Sequence, residues 1–129
     1  MAGAAKSILI VDDDRFLIDM YSLKFKEEGF SVDSAQGGEE AIHKLSEGKG
    51  PDVVLLDLIM PGIDGLEVLK TVQEKKLAPR SLFIVLSNQS QEGDIARARE
   101  FGADHYIVKA SAVPSEVVVE VKKKLATTS

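Results

Sequence analysis

Cysteine is absent from the 129-residue sequence, which excludes disulfide bonds, thiolate nucleophiles and thiolate metal sites. Long apolar runs are also absent, because the longest have only the length of a β-strand and cannot span a bilayer. The N-terminus lacks the basic start and apolar stretch of an export signal. We therefore expect a cytoplasmic protein with no membrane segment.

Positive charge is in deficit, with 16 lysines and arginines against 21 aspartates and glutamates and a net charge of −5. A domain that binds nucleic acid directly needs a basic face for the phosphates, so this composition argues against such a partner. The hydrophobic share of 44% and the charged share of 29% are typical of a folded globular chain. At this length we expect one domain with one core, spanning residues 1–129.

Five short segments are rich in β-branched and aliphatic residues, as expected for strands: 7–11, 30–35, 52–57, 81–87 and 104–109. The stretches between them carry apolar residues at helical spacing, such as Leu17, Met20, Tyr21 and Phe25 in the first. Five alternating strand–helix units predict an α/β fold and not a barrel, which would need eight. We predict a flavodoxin-like, doubly wound five-stranded parallel sheet, in the order 2-1-3-4-5, with five helices.

Polar residues follow the carboxyl ends of the predicted strands, which right-handed crossovers bring to one edge of the sheet. Asp12 and Asp13 follow the first strand, Asp57 ends the third, and Ser87 and Lys109 end the fourth and fifth. Ligands of such folds bind at this edge, near the switch in strand order. Since the first and third strands are neighbours in the predicted order, we expect the three aspartates to share one crevice.

Three carboxylates in one crevice repel one another, because two unit charges about 4 Å apart cost roughly 4 kcal/mol at an effective dielectric near 20. Either they share a proton or a cation lies among them. Ligands that are all oxygen favour Mg²⁺, which leaves a coordination position for a phosphate oxygen. Lys109 and Ser87 would then stabilise a phosphoryl group beside Asp57, whose carboxylate can itself accept one.

Each of these residues also has a purely structural interpretation. Asp13 or Asp14 could cap the first helix, and Asp57 could form the turn that follows it. Ser87 alone is uninformative, and Lys109 alone would be a solvated surface lysine. A functional site is favoured because all of these residues fall at one edge of one sheet.

Four motifs resemble those of one known family: "ILIVDDD" (8–14), "VVLLDLIMPGIDGLEVL" (53–69), "IVLSNQ" (84–89) and "GADHYIVKA" (102–110). Together they are similar to the receiver domain of bacterial two-component response regulators, including the single-domain chemotaxis regulator. The resemblance covers about residues 6–125, and it implies a receiver domain with its core within that range.

The resemblance implies that Asp57 is the phosphoacceptor. It implies that Mg²⁺ is held by Asp13, Asp57 and the backbone carbonyl of Ile59, with Asp12 acting through water. It also implies that Lys109 contacts the phosphoryl group. The chain would be a phosphoprotein that catalyses only its own phosphorylation and dephosphorylation.

The resemblance also implies how the signal enters and leaves. A histidine kinase or histidine phosphotransfer protein would supply the phosphoryl group. Ser87 would move towards this group, and Tyr106 would act as an aromatic switch that turns inward. A downstream protein would then read the surface of helix four, strand five and helix five. We expect no DNA-binding output domain in this chain, and either a monomer or a phosphorylation-dependent homodimer.

The sequence departs from the family pattern around the site. Ala110 replaces the usual proline after Lys109, and a cis bond there would cost about 3 kcal/mol, so we expect a trans bond and a differently shaped loop. Asn88 replaces a usually small residue and would narrow access to the pocket. The resemblance implies that Ile59 and Gln89 occupy positions that, in this family, tune the lifetime of the phosphoryl group. The aliphatic side chain of Ile59 offers no polar contact to water, which predicts slow self-hydrolysis.

Other classes of protein compete with this interpretation. A haloacid-dehalogenase-like phosphotransferase would use Asp12 as nucleophile and Asp14 as acid, although Phe16 stands where threonine or valine is expected. A flavodoxin-like carrier of FMN would need a phosphate loop rich in serine, threonine and glycine in place of three aspartates. A pseudo-receiver that is never phosphorylated and serves only for docking is a further alternative.

Overall fold

The computed structural model describes residues 6–48, 50–88 and 91–127. In chain order the elements are β1 (Ser7–Val11), α1 (Arg15–Glu27), β2 (Ser31–Ala35), α2 (Gly38–Leu45), β3 (Val53–Leu56), α3 (Gly65–Lys75), β4 (Leu82–Ser87), α4 (Glu92–Glu100), β5 (His105–Val108), a 3₁₀ turn (Lys109–Ser111) and α5 (Pro114–Thr127). The strands form a parallel sheet in the order β2-β1-β3-β4-β5. The predicted flavodoxin-like α/β sheet, its order and its helices are therefore confirmed.

Four strands begin one residue later than their sequence patterns predict, and two of the residues left outside are aspartates. Asp52 accepts a hydrogen bond from the Ser7 amide at 2.7 Å, and Asp104 accepts one from the Phe83 amide at 2.8 Å. Their side chains therefore satisfy main-chain donors of neighbouring strands at the amino edge of the sheet. A carboxylate in this position continues the hydrogen bonding of the sheet without itself being part of a strand.

Helices cover both faces of the sheet and enclose a separate apolar core on each. On one face Phe25 of α1 and Val117 of α5 are fully buried; on the other, α2, α3 and α4 contribute Leu45, Val68 and Ala98. Every residue of β3 and β4 is buried, which explains the unbroken aliphatic runs of these strands. Because helices cover both faces of the sheet, polar side chains come together at the carboxyl ends of the strands.

The start of α1 decides between the two structural interpretations of its acidic residues. The Asp14 carboxylate accepts hydrogen bonds from the amides of Phe16 at 2.9 Å and Leu17 at 3.4 Å, so Asp14 is the N-cap. Within the helix, Ile18 is buried although the predicted stripe began at Leu17, which is only partly buried. The side of α1 that packs against the core therefore includes both Leu17 and Ile18.

The peptide bond at the start of the loop after β5 has the trans isomer that the sequence favours, and the different shape expected for this loop stays a prediction. No described peptide bond is cis, so the bond between Lys109 and Ala110 is trans. The chain enters a 3₁₀ turn at Lys109 as soon as the strand ends. The lysine therefore leaves the sheet at its carboxyl edge.

We expect Phe25→Ala to lower the free energy of unfolding by about 3–5 kcal/mol, because it empties a closed site in the core. Phe25 is 0% exposed, and its ring meets that of Phe30 edge to face, with 5.1 Å between centroids. Urea denaturation measures the effect. The matched control is Phe16→Ala in the same helix, where the side chain is 75% exposed. Equal losses in the two variants would contradict the assigned core.

Candidate functional site

The three predicted aspartates form one cluster at the carboxyl edge of the sheet. A carboxylate oxygen from each of Asp12, Asp13 and Asp57 lies within 4.8 Å of the other two. The register produces this proximity: Val11 pairs with Leu56, and the Asp57 amide donates to the Val11 carbonyl at 3.0 Å. The residues that follow the two strands are therefore side by side.

Burial differs among the three carboxylates. Asp12 and Asp57 are buried, with 6% and 7% of their surfaces exposed, whereas Asp13 is exposed. One oxygen of Asp12 accepts a hydrogen bond from the Asp14 amide at 2.9 Å. The Asp57 carboxylate accepts one from the amide of Ile59. Backbone donors thus fix the two buried carboxylates, and Asp13 forms the open side of the cluster.

Lys109 provides the positive charge of the site. Its Nζ lies 2.9 Å from Oδ2 of Asp12 and 3.6 Å from Oδ2 of Asp57. Because β4 separates β5 from β3 in the sheet, the lysine side chain has to cross the end of β4 to reach them. One ammonium opposes three carboxylates, so the group keeps a net negative charge.

The titration of the two central groups reflects this balance. Burial is the largest effect on the pKa of Asp57 and raises it. The Lys109 ammonium and the Ile59 amide lower this pKa, whereas the negative charges of Asp12 and Asp13 raise it further. Burial alone would lower the pKa of Lys109. Its hydrogen bond to Asp12 and the charges of Asp57 and Asp12 outweigh burial, so the pKa of Lys109 is raised. Lys109 is therefore held in its charged form, while the charge on Asp57 is only partly compensated.

Ser87 and Tyr106 lie together at the ends of β4 and β5. Ser87 is 0% exposed, and its side chain is hydrogen-bonded to that of Tyr106. The Tyr106 ring is partly buried and packs against the core on the α2, α3 and α4 face. Burial raises the pKa of the Tyr106 phenol, the bond to Ser87 lowers it, and the negative charges of Asp94 and then Asp57 raise it further. The two residues predicted to act together as a switch are therefore in direct contact.

The loop after β3 is closed at its base by backbone contacts. The Gly65 amide donates to the Leu58 carbonyl at 2.9 Å, and a Cβ on Gly65 would lie only 2.7 Å from Leu58 Cα. Asp64 and Glu67 form a reciprocal capping box that starts α3. Only glycine at 65 permits this closure, which keeps Asp57 and the Ile59 amide in place.

One side chain near the site was missed by the sequence analysis. Tyr21 was expected only in the apolar stripe of α1, and it is indeed buried. Its pKa is raised by burial, while the charge of Lys109 lowers it and that of Asp12 raises it. The phenol therefore lies within electrostatic range of the ion pair. The only signal in the sequence was a hydroxyl group within an otherwise apolar stripe.

The sequence analysis also singled out Asn88 and Gln89. Asn88 is exposed, so its predicted effect on access to the pocket stays a prediction. Gln89 lies outside the described residues.

The donor set fits a magnesium ion. All its side-chain donors are carboxylate oxygens, the ligands that Mg²⁺ prefers, and two ligands on opposite sides of such an ion are about 4.2 Å apart. The oxygens of the cluster, within 4.8 Å of one another, nearly match this size. Mg²⁺ usually binds one or two carboxylates directly and keeps several waters, so a cluster of three carboxylates supplies enough donors.

This arrangement defines a flavodoxin-like α/β domain with an acidic, lysine-bearing pocket at the carboxyl edge of its sheet. The pattern of the response regulator receiver domain family matches residues 8–121. The chain therefore belongs to this family, the receiver domains of two-component systems, and the resemblance found in the sequence is confirmed.

Individual relatives agree. The transcriptional regulatory protein ResD of Bacillus subtilis (strain 168) is 40% identical over 118 residues, covering 92% of this chain and 47% of ResD, so the chain spans about half of that relative. A CheY-like receiver domain protein from Methanospirillum hungatei JF-1 matches with a TM-score of 0.86 and 27% identity over 96% of each chain. TrrA from Thermotoga maritima, solved in complex with Mg²⁺-BeF, matches with a TM-score of 0.78 and 36% identity over 93% of this chain and 98% of TrrA.

Membership of the family carries general properties. Receiver domains are signalling domains and generally not true enzymes. They bind Mg²⁺ at an acidic pocket of aspartates, as formed here by Asp12, Asp13 and Asp57, and they interact with histidine kinases and downstream effectors. In the part of the chain that the structure describes, no helix combines the length and apolar character needed to cross a membrane.

We expect Asp57→Asn to raise the free energy of unfolding at pH 7, without Mg²⁺, because it removes a buried charge that Lys109 compensates only in part. The pKa of Asp57 is higher in the folded chain than its ordinary value of 3.8, so the folded state binds this proton more tightly than the unfolded state. The free energy of unfolding therefore falls as the pH rises from 3.8 through the raised pKa, and the asparagine variant lacks this contribution. Urea denaturation across this pH interval measures it.

The matched control is Asp19→Asn, whose side chain is 66% exposed in a surface ion pair with Arg15 and should change stability by less than about 0.5 kcal/mol. A destabilised Asp57→Asn protein would mean that attraction to Lys109 outweighs the cost of burying the Asp57 charge.

Proposed function

We propose that this chain is a phosphoacceptor switch in a two-component phosphorelay. Asp57 takes a phosphoryl group from a histidine kinase or histidine phosphotransfer protein in a Mg²⁺-dependent reaction. The observation that carries the proposal is the Asp57 carboxylate, which lies buried within a carboxylate cluster and 3.6 Å from the Lys109 ammonium. The incompletely compensated charge of Asp57 favours the binding of a cation beside it, and a bound cation would let an anionic phosphoryl donor approach the carboxylate.

The transfer is a substitution at phosphorus. An oxygen of Asp57 forms a bond to phosphorus, the bond between phosphorus and the donor imidazole breaks, and the imidazole leaves with the electron pair and takes up a proton. Lys109 is already within reach of both anionic partners, at 2.9 Å from Asp12 and 3.6 Å from Asp57. A short movement of its ammonium towards a phosphoryl oxygen exchanges one anionic contact for another, so the charge that develops in the transfer is stabilised without recruiting a distant group.

When bound, Mg²⁺ would supply the positive charge that lets an anionic carboxylate approach an anionic phosphoryl group. We assign its ligands to Asp13, Asp57 and the backbone carbonyl of Ile59, with Asp12 acting through water. Two observations support this set. Asp13 is the exposed carboxylate of the cluster, and the Ile59 main chain lies next to the Asp57 carboxylate, to which its amide donates.

The switch follows from the added charge. A phosphoryl group brings nearly two negative charges and three acceptor oxygens to one point. Ser87 donates to one of these oxygens, which changes its hydrogen bond with Tyr106, and Tyr106 responds by turning inward. A downstream protein reads the resulting surface of α4, β5 and α5. We further propose that residues 1–129 form a single receiver domain with its core in 6–125, which acts in the cytoplasm as a monomer or a phosphorylation-dependent homodimer.

The contacts of Asp12 and Asp14 argue against the haloacid-dehalogenase-like alternative. The two oxygens of Asp12 accept hydrogen bonds from the Asp14 amide and from Lys109, so Asp12 is the direct partner of the lysine in the resting pocket. Asp14, the expected acid, is the N-cap of α1. The pseudo-receiver alternative differs in chemistry and not in fold, so phosphorylation itself decides it.

We expect the protein to gain one phosphoryl group when it is incubated with Mg²⁺ and acetyl phosphate, because every side chain that the reaction needs is present in the pocket. Intact-mass spectrometry measures the adduct. Asp57→Asn should abolish it, and a chelator should suppress it in the wild-type protein.

Asp12→Asn separates the alternatives. An adduct that persists in Asp57→Asn but disappears in Asp12→Asn would favour the phosphotransferase. A wild-type protein that binds Mg²⁺ without forming an adduct would favour a docking module.

We expect Tyr106 to report the switch optically. The chain has no tryptophan and two tyrosines, so Tyr106 is the dominant fluorophore in a Tyr21→Phe protein. Beryllofluoride, a phosphoryl mimic, should change the emission of Tyr106 at constant Mg²⁺, because the hydrogen bond with Ser87 is altered. The response should be largely lost when Ser87→Ala is added to Tyr21→Phe. An unchanged response in the double variant would separate Tyr106 from Ser87.

A further inference from the structure

Gly38, the first residue of α2, lies in direct contact with the loop that follows β3. It is buried, and a Cβ built on it would fall well inside van der Waals contact of the Ile63 carbonyl oxygen and 2.7 Å from Ile63 Cγ2. The obstructing carbonyl belongs to the main chain and cannot rotate aside like a flexible side chain. The start of α2 and the loop therefore touch backbone to backbone, at a distance that only a hydrogen atom on Gly38 permits.

The preceding residue does not share this constraint. A Cβ on Gly37 would meet nothing within 4 Å, and Gly37 has an extended backbone with φ −177° that any residue adopts. Two adjacent glycines thus differ in one respect: Gly38 is in contact with the loop and Gly37 is not.

Three contacts hold the loop between β3 and α3, and two of them are made by residues at the ends of the loop. The Gly65 amide closes the base on the Leu58 carbonyl at 2.9 Å, and Asp64 is fixed by the capping box of α3. Ile63 lies between these points, and Gly38 of α2 is its neighbour across the gap. Three residues lie between Ile63 and Ile59, whose amide donates to the Asp57 carboxylate. A displacement at Ile63 therefore has a short covalent path to the pocket.

We propose that Gly38 is a positioning residue for the acidic pocket: by admitting the Ile63 carbonyl against α2, it sets the loop conformation that presents the Ile59 backbone beside Asp57. The proposal rests on the function proposed above for this pocket. A methyl group at 38 would push the loop away from α2, and Ile59 would move relative to the carboxylates. The expected consequence is weaker binding of Mg²⁺ in a chain that still folds.

Gly38→Ala and Gly37→Ala form a matched pair with the same chemical change at adjacent positions. Mg²⁺ alone is titrated into each protein and into the wild type, and the dissociation constant is taken from the NMR shifts of isotope-labelled backbone amides at Asp57 and Ile59. We expect Gly38→Ala to weaken Mg²⁺ binding by about tenfold, the low end for residues that orient metal ligands. Gly37→Ala should leave the dissociation constant unchanged. Urea denaturation of all three proteins separates this effect from a general loss of stability.

Ile63→Ala keeps the proposal testable if Gly38→Ala does not fold. This variant trims the side chain and leaves the carbonyl contact with Gly38, so Mg²⁺ affinity should stay at the wild-type value. Equal dissociation constants for Gly38→Ala and Gly37→Ala, or a tenfold loss in Ile63→Ala, would overturn the proposal. A wild-type protein that neither binds Mg²⁺ nor accepts a phosphoryl group would instead overturn the function of the pocket, and this inference with it.

Discussion

The repulsion among the carboxylates of Asp12, Asp13 and Asp57 is the constraint on which the rest of the site depends. The pairing of β1 with β3 forces two of these charges into a buried position side by side. The compensation comes from other parts of the fold: Lys109 arrives from beyond β4, and backbone amides come from the starts of α1 and of the β3–α3 loop. It is incomplete, because the pKa of Asp57 stays raised. The fold thus holds the pocket in a state that favours the arrival of positive charge.

The fold and the positions of the main site residues could be predicted from the sequence, because they depend on the order and spacing of residues along the chain. Unbroken aliphatic runs identify β3 and β4 as strands covered on both faces, and alternation with helical stripes makes the sheet parallel. In a parallel sheet every carboxyl end reaches the same edge. The positions of Asp12, Asp57 and Lys109 after their strands therefore predict that they meet, even though Asp12 and Lys109 are 97 positions apart in the sequence.

The remainder depends on contacts between elements that have no periodic signature. Ile63 meets Gly38 across two elements, and no spacing in the sequence predicts which of two adjacent glycines makes that contact. The choice of Asp14 over Asp13 as the cap of α1 depends on φ and ψ at a single residue. The proximity of Tyr21 to the ion pair depends on how α1 is rotated against the sheet. Only the three-dimensional packing settles these points.

The double engagement of Lys109 has a consequence for how finely the switch is balanced. On the proposed mechanism, the ammonium that holds Asp12 in the resting state is the same group that the phosphorylated state needs. The contribution of Lys109 to the free energy between the two conformations is then the difference between two ion pairs and not the full strength of either. A smaller difference means that a smaller differential affinity of a partner for one conformation shifts the populations. The sensitivity of this conformational equilibrium to binding partners would thus depend on one side chain, Lys109, that is used in both states.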